Sequence, residues 1–165
     1  MAYPAGQYIL DGGDLWMVYG IIVTDSAGSN DLMKFPERKD SISHDWEDEN
    51  GLDIDLSRVY LKAREATFNM AILARTEVQF WEHYNAFLAM ITRPDLRRLE
   101  IAELSSSFYV YYKACSSFER FTRVKQGTFK GYIASKFSLT LVEKEPTLDA
   151  SNQYWVDDEN RFIIS

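Results

Sequence analysis

One amphipathic segment lies among stretches of alternating apolar residues, and it constrains the fold more than any other feature. Thr76 followed by Gln79 matches a helix-capping box, and Arg93-Pro94 ends the helical pattern because proline disfavours a helical residue before it. Apolar residues between these signals recur with the helical period of 3.6. We therefore predict one principal helix over about residues 77–92. Its predicted core-facing stripe consists of Phe80, Trp81, Tyr84, Phe87, Leu88 and Ile91.

The rest of the pattern is typical of β-strands. Residues 64–74 alternate cleanly and place Ala66, Phe68, Met70 and Ile72 on one face. At 165 residues the chain is long enough for one hydrophobic core, and its single cysteine cannot form an intramolecular disulfide. We predict a mainly β fold, an antiparallel β-sandwich or barrel with one packed α-helix. The predicted strands are residues 8–10, 15–23, 52–56, 64–74, 99–101, 108–114, 119–124 and 128–142.

A long polar segment, residues 24–51, interrupts the strand pattern and becomes strongly acidic. Loops of this length in a domain are usually functional or partly disordered, and this one has too little apolar area to fold alone. We predict that it is an assembly arm ordered by contact with a neighbouring subunit; a flexible surface loop is the alternative interpretation. Its predicted anchors are Leu32, Phe35, Ile42 and Trp46.

We divide the chain into a core β domain, residues 1–145, and a C-terminal extension, residues 146–165. The extension carries two short apolar runs on either side of an acidic tetrapeptide, a pattern that predicts a hairpin.

The acidic segment invites interpretation as a calcium-binding loop that begins at Asp45. The sixth position is Asn50 where an EF-hand needs glycine, and the twelfth is Leu56 where it needs a bidentate glutamate. A solvated acidic loop ending in an Asn-Gly turn is therefore the better hypothesis.

Catalytic motifs are missing as well. His44 and His83 are the only imidazoles, and Cys115 follows a run of aromatic strand residues typical of a buried, inert thiol. The serines at 105–107 and 116–117 lack a nucleophile-elbow sequence. We expect no catalytic residue, no cofactor and no bound metal, and hence no enzymatic activity.

The net charge of the chain limits the kinds of partner that it can bind. A net charge of −7 and a pI near 4.9 argue against general affinity for nucleic-acid phosphates, although an acidic surface can line a passage for DNA without binding it. The first residues lack a signal-peptide pattern, and no apolar run has the length of a membrane span. We therefore expect assembly in a cytoplasm and no membrane partner.

The order of the elements resembles a known family. The run from Tyr8 to Leu15 with Tyr19–Val23, the Lys34–Lys39 segment, the helix around Phe80–Tyr84 and the strand through Leu139–Leu141 follow one another as in tail proteins of long-tailed bacteriophages. The chain resembles the ring-forming N-terminal domain of the distal tail protein, which shares its fold with tail-tube proteins. The likeness spans about residues 7–145.

This resemblance implies a structural role. It implies a homo-oligomer, a six-membered ring around a channel through which DNA passes unbound, in contact with other tail proteins. The location implied is the virion tail, after assembly in the cytoplasm of a bacterial host. Two alternatives stay open: a small monomeric β-sandwich module that binds glycan or peptide, and a component of another injection apparatus.

Overall fold

A curled antiparallel sheet of eight strands, shaped as a half-barrel, forms the body of the protein. The computed structural model describes residues 5–48, 50–51, 53–119 and 121–146, and the backbone of two short strands beyond them. The strands of the sheet are β1 (Tyr8–Leu10), β2 (Gly13–Asp14), β3 (Ile21–Val23), β6 (Arg64–Ala74), β7 (Arg97–Ile101), β8 (Ser106–Phe118), β9 (Thr122–Arg123) and β10 (Ile133–Glu143). Their order is β2-β1-β7-β8-β10-β6-β3, with β9 paired to β10. This architecture confirms the predicted mainly β class.

Two further pairs of strands lie outside this sheet. Strands β4 (Ser43–His44) and β5 (Asp53–Ile54) pair with each other, as do β11 (Trp155–Val156) and β12 (Phe162–Ile163). The remainder of the predicted C-terminal hairpin lies outside the described residues. We predicted a half-buried strand over residues 52–56, and this prediction is wrong about burial. The observed strand β5 has two residues, and both are exposed.

The two long central strands, β6 and β10, build the core. They pair over their full lengths, from Ile133 opposite Ala74 to Glu143 opposite Arg64. The predicted inward face of β6 is confirmed, since Phe68 and Ile72 are at most 1% exposed. The predicted strand 128–142 begins only at Ile133, because hydrogen-bonded turns occupy the preceding residues.

The principal helix, α3 (Glu77–Ile91), is confirmed together with its cap. Thr76 Oγ1 accepts a hydrogen bond from the Gln79 N–H at 3.2 Å, and Gln79 Oε1 accepts one from the Arg75 N–H at 2.9 Å. These bonds satisfy two backbone donors at the helix start. The helix packs against β6 and covers the inner face of the sheet.

The predicted core stripe of this helix is only partly right. Phe80, Phe87 and Ile91 are buried and Tyr84 is half-buried, but Trp81 is 46% exposed and Leu88 is 42% exposed. At 3.6 residues per turn, Trp81 and Leu88 lie about 80–100° around the helix from Phe80. The buried face is rotated away from them, toward Met90, which is 6% exposed.

The predicted strand 15–23 is wrong in its first half, where α1 (Leu15–Tyr19) forms instead. Asp14 Oδ1 caps this helix by accepting the Met17 N–H at 2.8 Å, and Gly20 ends it with φ 61°. Glycine is required there twice over: the backbone is left-handed, and a Cβ would lie 2.5 Å from both the Leu73 carbonyl oxygen and His83 Nδ1.

The predicted loop 24–51 is not a single loop either. Its first part folds as α2 (Ala27–Met33), which packs on β6. Leu32, predicted as an anchor of the assembly arm, is 1% exposed and belongs to the core. The helix docks because Gly28 allows its backbone to approach the Phe68 ring directly.

Candidate assembly surfaces

A hairpin projects from the sheet between α2 and β6; we call it the arm (residues 34–62). The Lys39 N–H donates to the Tyr60 carbonyl at 2.7 Å, and the Lys62 N–H donates to the Glu37 carbonyl at 2.7 Å. Further out, β4 pairs with β5, with Ser43 opposite Ile54. The second part of the predicted loop 24–51 thus forms one side of the arm, and the segment that contains the predicted strand 52–56 forms the other side.

The arm has no core of its own. None of the described residues from 33 to 63 is buried. Three predicted anchors lie on it and are open to solvent, with Phe35 96% exposed, Ile42 76% and Trp46 51%. Among the described residues of the arm, the other large exposed apolar side chains are Ile54, Leu56, Val59 and Tyr60. Exposed apolar side chains gathered on one segment suit an interaction surface.

Arg64 fixes the root of the arm to the sheet. Its Nε and Nη2 both approach Glu143 Oε2 at 2.6 Å, and its Nη1 donates to the Lys34 carbonyl oxygen at 2.8 Å. Glu143 is 5% exposed, so removing the guanidinium would leave a buried carboxylate without its ion pair. The sequence gives no signal for this contact, because the two ionic partners lie 79 residues apart.

Helix α2 also covers part of the edge of β6. Asp31 Oδ2 accepts the Thr67 N–H at 3.2 Å, beyond the three residues that β3 pairs with. Partial burial raises the pKa of Asp31, but the hydrogen bonds from Lys34 and the Thr67 N–H, together with the Lys34 charge, outweigh it. The pKa therefore lies below its ordinary value of 3.8. The ionised carboxylate of Asp31 therefore binds the edge of β6 at the Thr67 N–H.

A long section of β8 has an open edge. Within the described residues, β7 pairs with 106–110 of this strand, and residues 111–118 pair only with β10. Two register shifts leave Lys113 and Ser116 as extra residues opposite β10, and such bulges bend and twist a strand. Tyr111 is 43% exposed and Phe118 47% exposed. An unpaired edge with exposed aromatic residues is suited to contact with another chain.

A small apolar groove separates α3 from the end of β8. Its cavity volume is about 120 Å³, and its lining includes Leu88, Tyr112, Cys115 and Phe118. Cys115 is exposed, contrary to the prediction of a buried thiol, because β8 is exposed on both faces beyond Tyr112. Its Sγ donates to the Ser117 carbonyl oxygen at 3.2 Å.

The candidate reactive residues are not brought together. The His44 ring packs against Trp46, with ring centroids 5.5 Å apart, on the arm. His83 lies on α3, where its Nδ1 is buried against Gly20 without a hydrogen-bond partner. No group of three metal-ligating side chains occurs among the residues described. Over the same residues, no helix has the length and apolar character needed to cross a membrane.

Comparison with solved structures gives a likeness of fold. No protein-family model and no curated protein sequence matches the chain. Among solved structures, the chain resembles the Dit protein (gp 19.1) of phage SPP1, described as a paradigm of the hub adsorption apparatus in phages that infect Gram-positive bacteria. The TM-score is 0.57 at 15% sequence identity. The match covers 85% of this chain and 50% of that one, so this chain spans about half of the Dit protein. At this identity the likeness is one of fold.

Proposed function

We propose that this chain is a structural subunit of a bacteriophage tail, a distal tail or tail-tube-like protein. In this proposal, copies of the chain form a closed ring, six-membered by family resemblance, through which DNA passes without being bound. The observation that carries the proposal is the fold shared with the phage hub protein Dit over 85% of the chain. The virion tail would be its location, with assembly in the cytoplasm of the host.

The open edges of the sheet support self-association. The section of β8 from 111 to 118 has free backbone donors and acceptors on one side, and pairing with a neighbouring copy would satisfy them. When such a contact joins two different surfaces and its rotation closes, repeating it forms a ring. The net charge of −7 would keep a DNA passage from binding its cargo.

The alternative is a small-ligand binding module. The apolar groove beside α3 holds about 120 Å³, which is small for a ligand pocket, whereas an open cavity lined by residues that include Tyr8, Asp25 and Glu103 holds about 490 Å³. We also propose that the chain has no catalytic activity. A hydrolase substrate panel tests this, and a turnover lost in His44→Ala or Cys115→Ala protein would overturn it.

Sedimentation velocity and negative-stain imaging of the full chain test the ring. We expect rings, and no shift of duplex DNA at low salt, where phosphate contacts would be strongest. A monomer at tens of micromolar that retains oligosaccharide would refute the tail role and favour the binding module.

A shortened arm gives a second test of assembly. Residues 40–59 can be replaced by a short Gly-Ser linker, because Lys39 and Tyr60 are already joined by a hydrogen bond of 2.7 Å. A deletion that began within α2 would instead remove Leu32 from the core. We expect the shortened chain to stay folded but to lose higher assembly; unchanged assembly would refute the role of the arm.

A further inference from the structure

Charge is sharply segregated between two parts of the chain. Residues 40–57, the acidic tip of the arm, contain seven Asp or Glu residues and no Lys or Arg. Residues 120–136 contain five Lys or Arg residues and no Asp or Glu. Residues 121–132 of the second segment comprise β9 and the turn that leads from it to β10, and we call them the basic turn.

The charged side chains of both segments are available for a partner. Arg123, Lys125 and Lys130 are exposed on the basic turn, and Asp45 and Glu47 are exposed on the acidic tip. Asp48 and Asp53 are exposed there as well. None of these side chains makes an ion pair with another described residue.

Each surface also has an apolar component. The arm carries the exposed side chains of Ile42 and Trp46. On the basic turn, the Phe129 ring packs against Trp16 at 5.3 Å and against Tyr132 at 5.7 Å, and all three rings are half-buried. Aromatic side chains of this kind are enriched at protein interfaces.

The two surfaces lie at opposite ends of the sheet. The arm leaves at the Arg64 end of β6, and the basic turn lies beyond the Ala74 end, where Ile133 pairs with Ala74. The eleven residues of β6 span about 33 Å. The arm and the basic turn therefore leave the sheet about the length of this strand apart.

We propose that the acidic tip of the arm docks on the basic turn of a second copy of this chain. Because the contact joins two different surfaces at opposite ends, it arranges the copies head to tail. The proposal rests on the assembly role given under Proposed function, and it names the surface that receives the arm. Opposite charges would set the orientation and speed the encounter, and the apolar side chains would add buried area.

Charge reversal in the full chain tests this pairing. The first variant carries Asp45→Lys, Glu47→Lys and Asp48→Lys. The second carries Arg123→Glu, Lys125→Glu and Lys130→Glu. The control carries Glu82→Lys, Glu103→Lys and Glu145→Lys, with the same change in net charge as the first variant but on exposed positions outside both surfaces. Self-association is measured by sedimentation at two salt concentrations, and fold by circular dichroism.

We expect each reversed variant to self-associate at least about tenfold more weakly than wild type, while the control does not. An equimolar mixture of the two reversed variants should recover association, because each arm then meets a turn of opposite charge. Added salt should weaken the wild-type contact.

Several outcomes would overturn the proposal. They are a monomeric wild-type chain, reversed variants that associate like the control, and a mixture that does not recover. A basic turn that binds DNA while self-association is unaffected by reversal would overturn it too. Imaging separates this proposal from the ring: rings that persist in both reversed variants with unchanged self-association would refute the docking alone, and charge-dependent stacks without closed rings would refute the ring alone.

Discussion

Replacing Gly28 with alanine would probe how closely α2 must approach the sheet to hold the root of the arm. In an ordinary helix this change is stabilising by about 1 kcal/mol, because glycine loses more backbone entropy on folding. Here a Cβ would lie 2.3 Å from Cδ1 of the Phe68 ring, and 2.5 Å from its Cγ. Phe68 is fully buried, so its ring has no open space to move into.

The balance of these two effects gives the expected magnitude. Ordinary contact begins at 3.4 Å, so α2 or the ring must move by about 1 Å. Overpacking of this kind costs about 1–3 kcal/mol, occasionally more, and the short contact places Gly28→Ala at or above the upper end. After subtracting the gain of about 1 kcal/mol in helix propensity, we expect the free energy of unfolding to fall by about 2 kcal/mol or more.

Urea titration followed by circular dichroism measures this loss as a lower midpoint with an unchanged slope. The control is Phe68→Leu, which should be destabilising alone but should relieve the clash in the double variant, so that the two effects are not additive. A Gly28→Ala protein as stable as wild type, or additive effects in the double variant, would refute the close approach of α2 to β6.

Three further measurements test the packing around the helices and the arm. Trp81→Ala should cost about 1–2 kcal/mol, since nearly half of the side chain is exposed, and a urea titration giving more than 3 would contradict the rotated buried face of α3. Arg64→Met should cost about 3–5 kcal/mol by leaving Glu143 buried without its ion pair, and the double variant with Glu143→Met should recover much of this loss. Because the pKa of Asp31 is lowered on folding, its contribution to stability is fully present above its ordinary value of 3.8 and is lost as pH falls through the folded value. Asp31→Asn should therefore reduce the loss of stability between about pH 5 and pH 2, and equal pH dependence in the two proteins would refute the effect.

The sequence by itself determined the elements whose signals are local. The alternation in residues 64–74 predicted β6 with its inward face, and Thr76 with Gln79 predicted the start of α3, because side-chain periodicity and capping act within a few residues. Short helices were missed where their signals are brief. Asp14 and Gly20 cap α1, but a helix of five residues has too little periodicity to be distinguished from a strand.

Contacts between distant parts of the chain were decided only by the tertiary structure. The direction in which α3 is rotated, which exposes Trp81 and Leu88, depends on what packs beside it and not on its own period. The pairing that makes residues 34–62 an arm, and the Arg64 contacts at its root, join segments that carry no local signal for each other. The open edge of β8 likewise follows from β7 beginning at Arg97, opposite Val110, because the sequence of a strand does not encode how far its neighbour extends.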